Sequence, residues 1–129
     1  MQILARQSQP ISQLPPMPEP EECRRQLIQA VEHVYPLVRD EGIPMPQIKL
    51  RQMKSQWGNC HWLQGYITLN KALARCPERL REYVALHELV HFLHHDHSLL
   101  FYAAMSRRMP DWQERRQELR QYSAALTEK

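Results

Sequence analysis

The sequence predicts an α+β domain in which helices, one of them bearing a His-Glu-x-x-His segment, cover one face of a small antiparallel sheet. Two observations carry that expectation. Apolar residues recur at helical spacing on both sides of residues 48–70, and between them lie short runs whose Tyr, Ile and Thr residues suit a pleated surface. Strands gathered in the middle of the chain and helices on either side point to segregated layers, not to an alternating parallel fold.

Residues 1–20 hold five of the ten prolines and no apolar period, which predicts an extended leader ahead of a domain spanning 21–129. Leu27, Val31, Val34, Tyr35 and Val38 then form one face of a helix that ends near Gly42 and is kinked by Pro36. Beyond Pro44 and Pro46, residues 48–53 and 65–70 read as strands, and 55–62 as a candidate third. Pro77 opens a second helix, where a missing N–H costs nothing and Glu78 suits the positive end of the dipole. Leu80, Tyr83, Val84, His87, Val90 and His91 share its inner face. Asp96, which tolerates the left-handed conformation, is expected to end that helix, and Ser98 to cap a third one running to about Arg108. Pro110 opens the last, with Trp112, Leu119 and Tyr122 as its packing residues.

At 129 residues, 43% hydrophobic and 24% charged, the chain is sized for one globular core, and wholesale disorder is excluded. No apolar run nears the roughly 18 residues that a membrane span needs, and the first nine residues lack the basic-then-apolar layout of a signal peptide. A cytoplasmic protein with no membrane partner is expected. Cys23, Cys60 and Cys76 are odd in number and form no CxxC pair, which fits buried free thiols in a reducing compartment. The net charge of +3 is modest, and Arg107, Arg108, Arg115, Arg116 and Arg120 are interleaved with Asp111, Glu114 and Glu118, as on a solvated helix face. Nucleic acid is only weakly supported as a partner.

The chemistry concentrates in His87-Glu88-Leu89-Val90-His91. Histidines four apart stand one turn above each other on a helix, so both rings can reach one ion. Glu88, rotated by about 100° from His87, can reach a water on that ion without ligating it. Five of the seven histidines fall between positions 87 and 97. These residues point to a minimal zincin-like site with zinc as cofactor, His87 and His91 as metal ligands and Glu88 as the catalytic acid/base of a hydrolysis. A catalytic zinc takes a third protein ligand. His94 stands about 10.5 Å along the axis from His87, too far on an unbroken helix. His97 is the expected third ligand, folding back after a turn at His95 and Asp96, with Asp96, Glu114 and Glu118 as alternatives. Tyr83, Tyr102 or an arginine is expected to steady the oxyanion, and an open sheet edge would suit a peptide or protein substrate added as a strand.

Further blocks surround that motif: Met53-Lys54-Ser55-Gln56-Trp57-Gly58-Asn59-Cys60, Gly65-Tyr66-Ile67-Thr68-Leu69-Asn70, Tyr83-Val84-Ala85-Leu86 leading into His87, and Asp96-His97-Ser98 with Phe101-Tyr102. With them, over about residues 21–125, the chain resembles the YgjP-like, or WSS-type, predicted metallopeptidases, relatives of the SprT-like proteins. The resemblance implies metal ligation by His87, His91 and His97 and acid/base catalysis by Glu88. Asn59, Asp96 and Tyr102 depart from the family's usual Ser, Asn and Trp, and none is a proposed ligand. Residues 57–60 carry no chemistry readable from sequence: they are expected as a turn glycine beside a packed tryptophan and a buried thiol, with Cys60 at the cleft rim as the sharper alternative. Two other functions stay open, hydrolysis of a non-peptide substrate such as a nucleotide and a non-catalytic, nucleic-acid-associated zinc module.

Overall fold

The computed structural model describes residues 14–127. Helix α1 (Pro20–Val34) is followed by two short 3-10 turns, strands β1 (Gln47–Arg51), β2 (Gly58–His61) and β3 (Tyr66–Asn70), a 3-10 turn (Lys71–Arg75), and helices α2 (Glu78–Val90), α3 (Leu99–Arg108) and α4 (Trp112–Leu119). A last 3-10 segment, Arg120–Leu126, prolongs α4. The first thirteen residues of the expected leader lie outside the described residues. Those from 14 to 19 form no helix or strand, yet Leu14 packs on the core and the Pro15 carbonyl accepts a hydrogen bond from Arg75 Nε at 2.6 Å.

The α+β class is as expected, but the sheet is mixed where the sequence suggested an antiparallel one. Its order is β1-β3-β2, with β2 antiparallel to β3 and β1 parallel to it. Asn70 explains the difference. Fully buried at the end of β3, it donates from Nδ2 to the carbonyls of Met53 (2.8 Å) and Gln56 (2.7 Å), while its backbone N–H donates to Trp57 O (2.9 Å). The β1–β2 loop is thereby drawn across the end of β3, so the chain returns on the far side of that strand. Alternation within a strand sets which face is buried; it does not say which neighbour pairs.

Central strand β3 buries Ile67, Thr68, Leu69 and Asn70. Leu27, Val31 and Val34 of α1 join the same core, which Leu80, Val84, Leu89 and Val90 of α2 and Phe101 and Met105 of α3 complete. Helix α1 is shorter than expected: in place of a kinked helix reaching Gly42, it stops at Val34, Pro36 sits in a 3-10 turn, and Gly42 takes φ 83° at the end of the next one. Helix α2 ends earlier than expected, at Val90. Tight bonds from Phe92 N to Leu89 O (3.1 Å) and from Leu93 N to Val90 O (2.9 Å) close it, and Asp96 does not take a left-handed conformation. Satisfying the last carbonyls this way makes such a cap unnecessary. Pro77 is the N-cap of α2, one position before the expected place, and Ser98 caps α3 by accepting from Phe101 N at 3.3 Å. Cys23 and Cys76 are buried, Cys60 is half-buried, and all three are free thiols. No described helix is long and apolar enough to cross a membrane.

Candidate metal centre

Helical spacing puts His87 and His91 on one face of α2, and the early end of that helix lets residues 92–97 turn back. His97 Nε2 then lies 3.1 Å from His87 Nε2 and 3.1 Å from His91 Nε2. A nitrogen in an imidazole ring offers either one in-plane lone pair or one hydrogen, so His97 Nε2 cannot satisfy both neighbours by hydrogen bonding. A cation can. Ligand nitrogens about 2.0–2.1 Å from a tetrahedral zinc are separated by about 3.3 Å, close to the spacing found here. His91 Nδ1 lies 3.1 Å from the His94 carbonyl and can donate only to it, which leaves Nε2 of the neutral ring free to ligate. The three rings rest on Phe101, with centroids 4.9, 4.5 and 5.1 Å from those of His87, His91 and His97. Burial, helped by His91, His97 and Arg116, pushes the His87 pKa down to about 3, and burial also lowers that of His91. Both imidazoles are therefore held neutral, the form that binds metal.

Glu88, only 5% exposed, lies on the sheet side of α2. Burial pushes its carboxyl up to about 8, so the group is a poor anion and a ready proton carrier. Strand β2 passes so close that a Cβ added to Gly58 would stand 3.1 Å from Glu88 Oε2, 3.2 Å from Glu88 Cγ and 3.0 Å from the Thr68 carbonyl oxygen. Gly58 is therefore not the turn glycine suggested by sequence. It lies within a strand, and what it supplies is room for a carboxylate.

Two cavities meet at this group. One of about 290 Å³ is lined by Asn59, Cys60, Trp62 and His95, with His95 stacked on Trp62 at 3.5 Å between centroids. The other, of about 420 Å³, is walled by Trp57, Tyr83, Val84 and Leu119 and rimmed by Arg116 and Arg120. Both are also lined by Gln56, Gly58, His87, Glu88 and His97. The remaining ligand candidates stay apart: Glu118 is paired with Arg79, and Asp96, Glu114 and Cys60 are not in the three-histidine cluster. Burial, with Glu88 nearby, pushes the Cys60 thiol up to about 12, so the group is a neutral thiol. Gly58, Asn70, Phe101 and Arg116 were assigned no part in the site's chemistry from sequence. A glycine inside a strand-like run is the one signal that could have marked a close approach beforehand.

A His-Glu-x-x-His helix packed on a small sheet, with a buried carboxylate beside converging imidazoles in an open cleft, defines a class: the chain is a metallopeptidase, a hydrolase that works with a metal ion. It belongs to the YgjP-like family, whose metallopeptidase-domain model matches residues 19–122. Among solved structures it is similar to the metallopeptidase zymogen abylysin of Pyrococcus abyssi, with 22% identity, a TM-score of 0.61, and coverage of 73% of this chain and 90% of that one. It is likewise similar to the zymogen jannalysin of Methanocaldococcus jannaschii, with 21% identity, a TM-score of 0.60, and coverage of 74% and 94%. At such identities the likeness speaks for the fold. No curated protein matches the sequence significantly.

Proposed function

We propose that this metallopeptidase is a zinc enzyme in which His87, His91 and His97 hold the ion and Glu88 is the general base. The observation that carries the reading is the set of three Nε2 atoms brought together beside a carboxylate that strand β2 and burial hold in place. Zinc would supply a Lewis acid that acidifies water and polarises the scissile carbonyl. Glu88 takes the proton at its carboxylate and returns it to the leaving amine, two tasks suited to a carboxyl that burial raises above the usual carboxylate range. The bond from His91 to the His94 carbonyl and the Phe101 ring fix the imidazoles. Tyr83 is the favoured oxyanion donor: it lines the cavity beside Glu88, and burial pushes its phenol up to about 12, so it keeps its hydrogen. Tyr102 instead stacks between His97 and Trp112.

A peptide or protein substrate is favoured because β2, an edge strand, runs along the cleft and offers its free side to an extended chain. Residues 21–129 are the catalytic unit in this reading, 1–20 its leader, and the reduced thiols fit a cytoplasmic setting. The test is zinc content together with cleavage of a denatured protein and of nucleoside triphosphates, for wild type and Glu88→Gln. The expected outcome is one tightly held zinc in both proteins, proteolysis by the wild type, and a turnover lower by about 10²–10⁴ in the variant. Proteolysis that survives the substitution removes Glu88 from the mechanism. Hydrolysis of nucleotides alone, or of neither substrate, overturns the peptidase assignment.

A further inference from the structure

The larger cavity carries a charge that the hydrolytic steps do not use. Arg116 and Arg120, four residues apart at the end of α4, both rim it, and its only carboxylate is the buried Glu88. Neither arginine forms an ion pair with a described acidic residue. Three other arginines are engaged: Arg115 with Asp111 at 3.0 Å and Glu82 at 3.8 Å, Arg79 with Glu118 and Asp111, and Arg108 with Glu41. Arg116 is instead held over the Trp112 ring at 4.9 Å, which leaves the donors of its guanidinium available. Sequence suggested a solvated helix face with interleaved acids here; Arg120 is exposed as expected, but the acidic partners that Arg115 finds are lacking for these two among the described residues.

Two uncompensated guanidinium groups at the rim of a cleft with apolar walls form a receptor for a planar anion, and a fork of N–H donors matches a carboxylate. The walls formed by Trp57, Tyr83, Val84 and Leu119 suit the methylenes or backbone that such a carboxylate would bring with it. We infer that Arg116 and Arg120 form a subsite for a carboxylate of the peptide substrate next to the scissile bond. The inference rests on the peptidase reading above. Two sources share this chemistry, an Asp or Glu side chain and a free C-terminus.

The test separates the subsite from catalysis by measuring binding to full-length, zinc-loaded Glu88→Gln, a near-isosteric variant, by calorimetry. Three peptides are compared: one blocked at both ends with a central Glu, its Gln analogue, and that Gln analogue with a free C-terminal carboxylate. At least one carboxylate-bearing peptide is expected to bind about tenfold tighter than the blocked Gln peptide, and which one does identifies the source. That advantage should vanish when Arg116→Gln and Arg120→Gln are combined, and Arg116→Glu with Arg120→Glu should favour a central Lys instead. Equal binding of all three peptides overturns the subsite. So does a carboxylate advantage that survives both arginine changes, which would mean that the metal itself holds the anion. Inorganic phosphate bound more tightly than either carboxylate would reassign the arginines to a phosphorylated ligand and also overturn it. Because nothing is turned over, these outcomes are independent of whether the wild type cleaves peptides.

Discussion

Near its start, helix α2 presents Glu78 and Glu82 to His33 of α1; near its end it presents His87 and His91 to His97. In both places three potential ligand atoms lie within 4.8 Å of one another. The two sets differ in what they need. His33 Nδ1 lies 3.0 Å from Glu82 and 3.9 Å from Glu78, and Arg115 reaches the other Glu82 oxygen at 3.8 Å, so hydrogen-bond donors and acceptors already complement each other at a partly exposed site. The three imidazoles have no such complement. Their Nε2 atoms face one another, burial keeps His87 and His91 neutral, and Phe101 closes one side. Convergence by itself does not mark a metal site; like acceptors, desolvated and left without donors, do.

Removing His97 tests that contrast most strongly. His97→Ala is expected to weaken zinc binding by more than about 100-fold, since loss of a mere supporting hydrogen bond costs roughly 10–100-fold at metal sites. His94→Ala and His95→Ala should change it only a few-fold. His94 contributes its backbone carbonyl, which the substitution keeps, and the His95 ring is stacked on Trp62. Competition with a chromophoric chelator measures all three. Equal losses would mean that the third ligand lies elsewhere.

A smaller effect separates the metal from the base. Gly58→Ala puts a methyl group 3.1 Å from Glu88 Oε2 and 3.0 Å from the Thr68 carbonyl oxygen, so the carboxylate must shift by a few tenths of an ångström. Misplacing a reacting group by 1 Å can cost about 100-fold, so a fall of about tenfold in kcat is expected here. KM and zinc affinity should barely change. Loss of zinc along with activity would show that Gly58 supports the whole cleft and not the carboxylate alone.

The legibility of this site in the sequence follows the same division. His87, Glu88 and His91 could be read because a helix turns sequence spacing into position, and each residue type has few chemical uses. His97 could be singled out because the ligand count demanded one more donor near the helix end. Asn70 and Phe101 could not, and Gly58 only as a glycine in a strand-like run, because what they contribute is a distance to a residue far away in sequence: Gly58 to Glu88, Asn70 to Met53, Phe101 to His87. The parallel pairing of β1 with β3 was hidden for the same reason, since it depends on where Asn70 anchors a loop. Arg116 and Arg115 illustrate the limit, adjacent and chemically identical yet turned to different neighbours.

The smallest effect is expected at the other end of α2, and it decides whether the comparison stands. If the His33 set is a surface ion pair, His33→Gln removes an interaction between side chains that are 44% and 21% exposed, worth about 1 kcal/mol or less once solvent screening is counted. Thermal unfolding of the apo protein should then shift by only a few degrees. Zinc stoichiometry should stay at one per chain in both proteins, because a set whose donors and acceptors already satisfy one another holds no zinc that the substitution could remove. A wild type that takes up two zinc ions, with the second lost in His33→Gln, would show that donors and acceptors already in contact can still yield to a metal. Site recognition from the missing donor would then fail on the same helix where it was inferred.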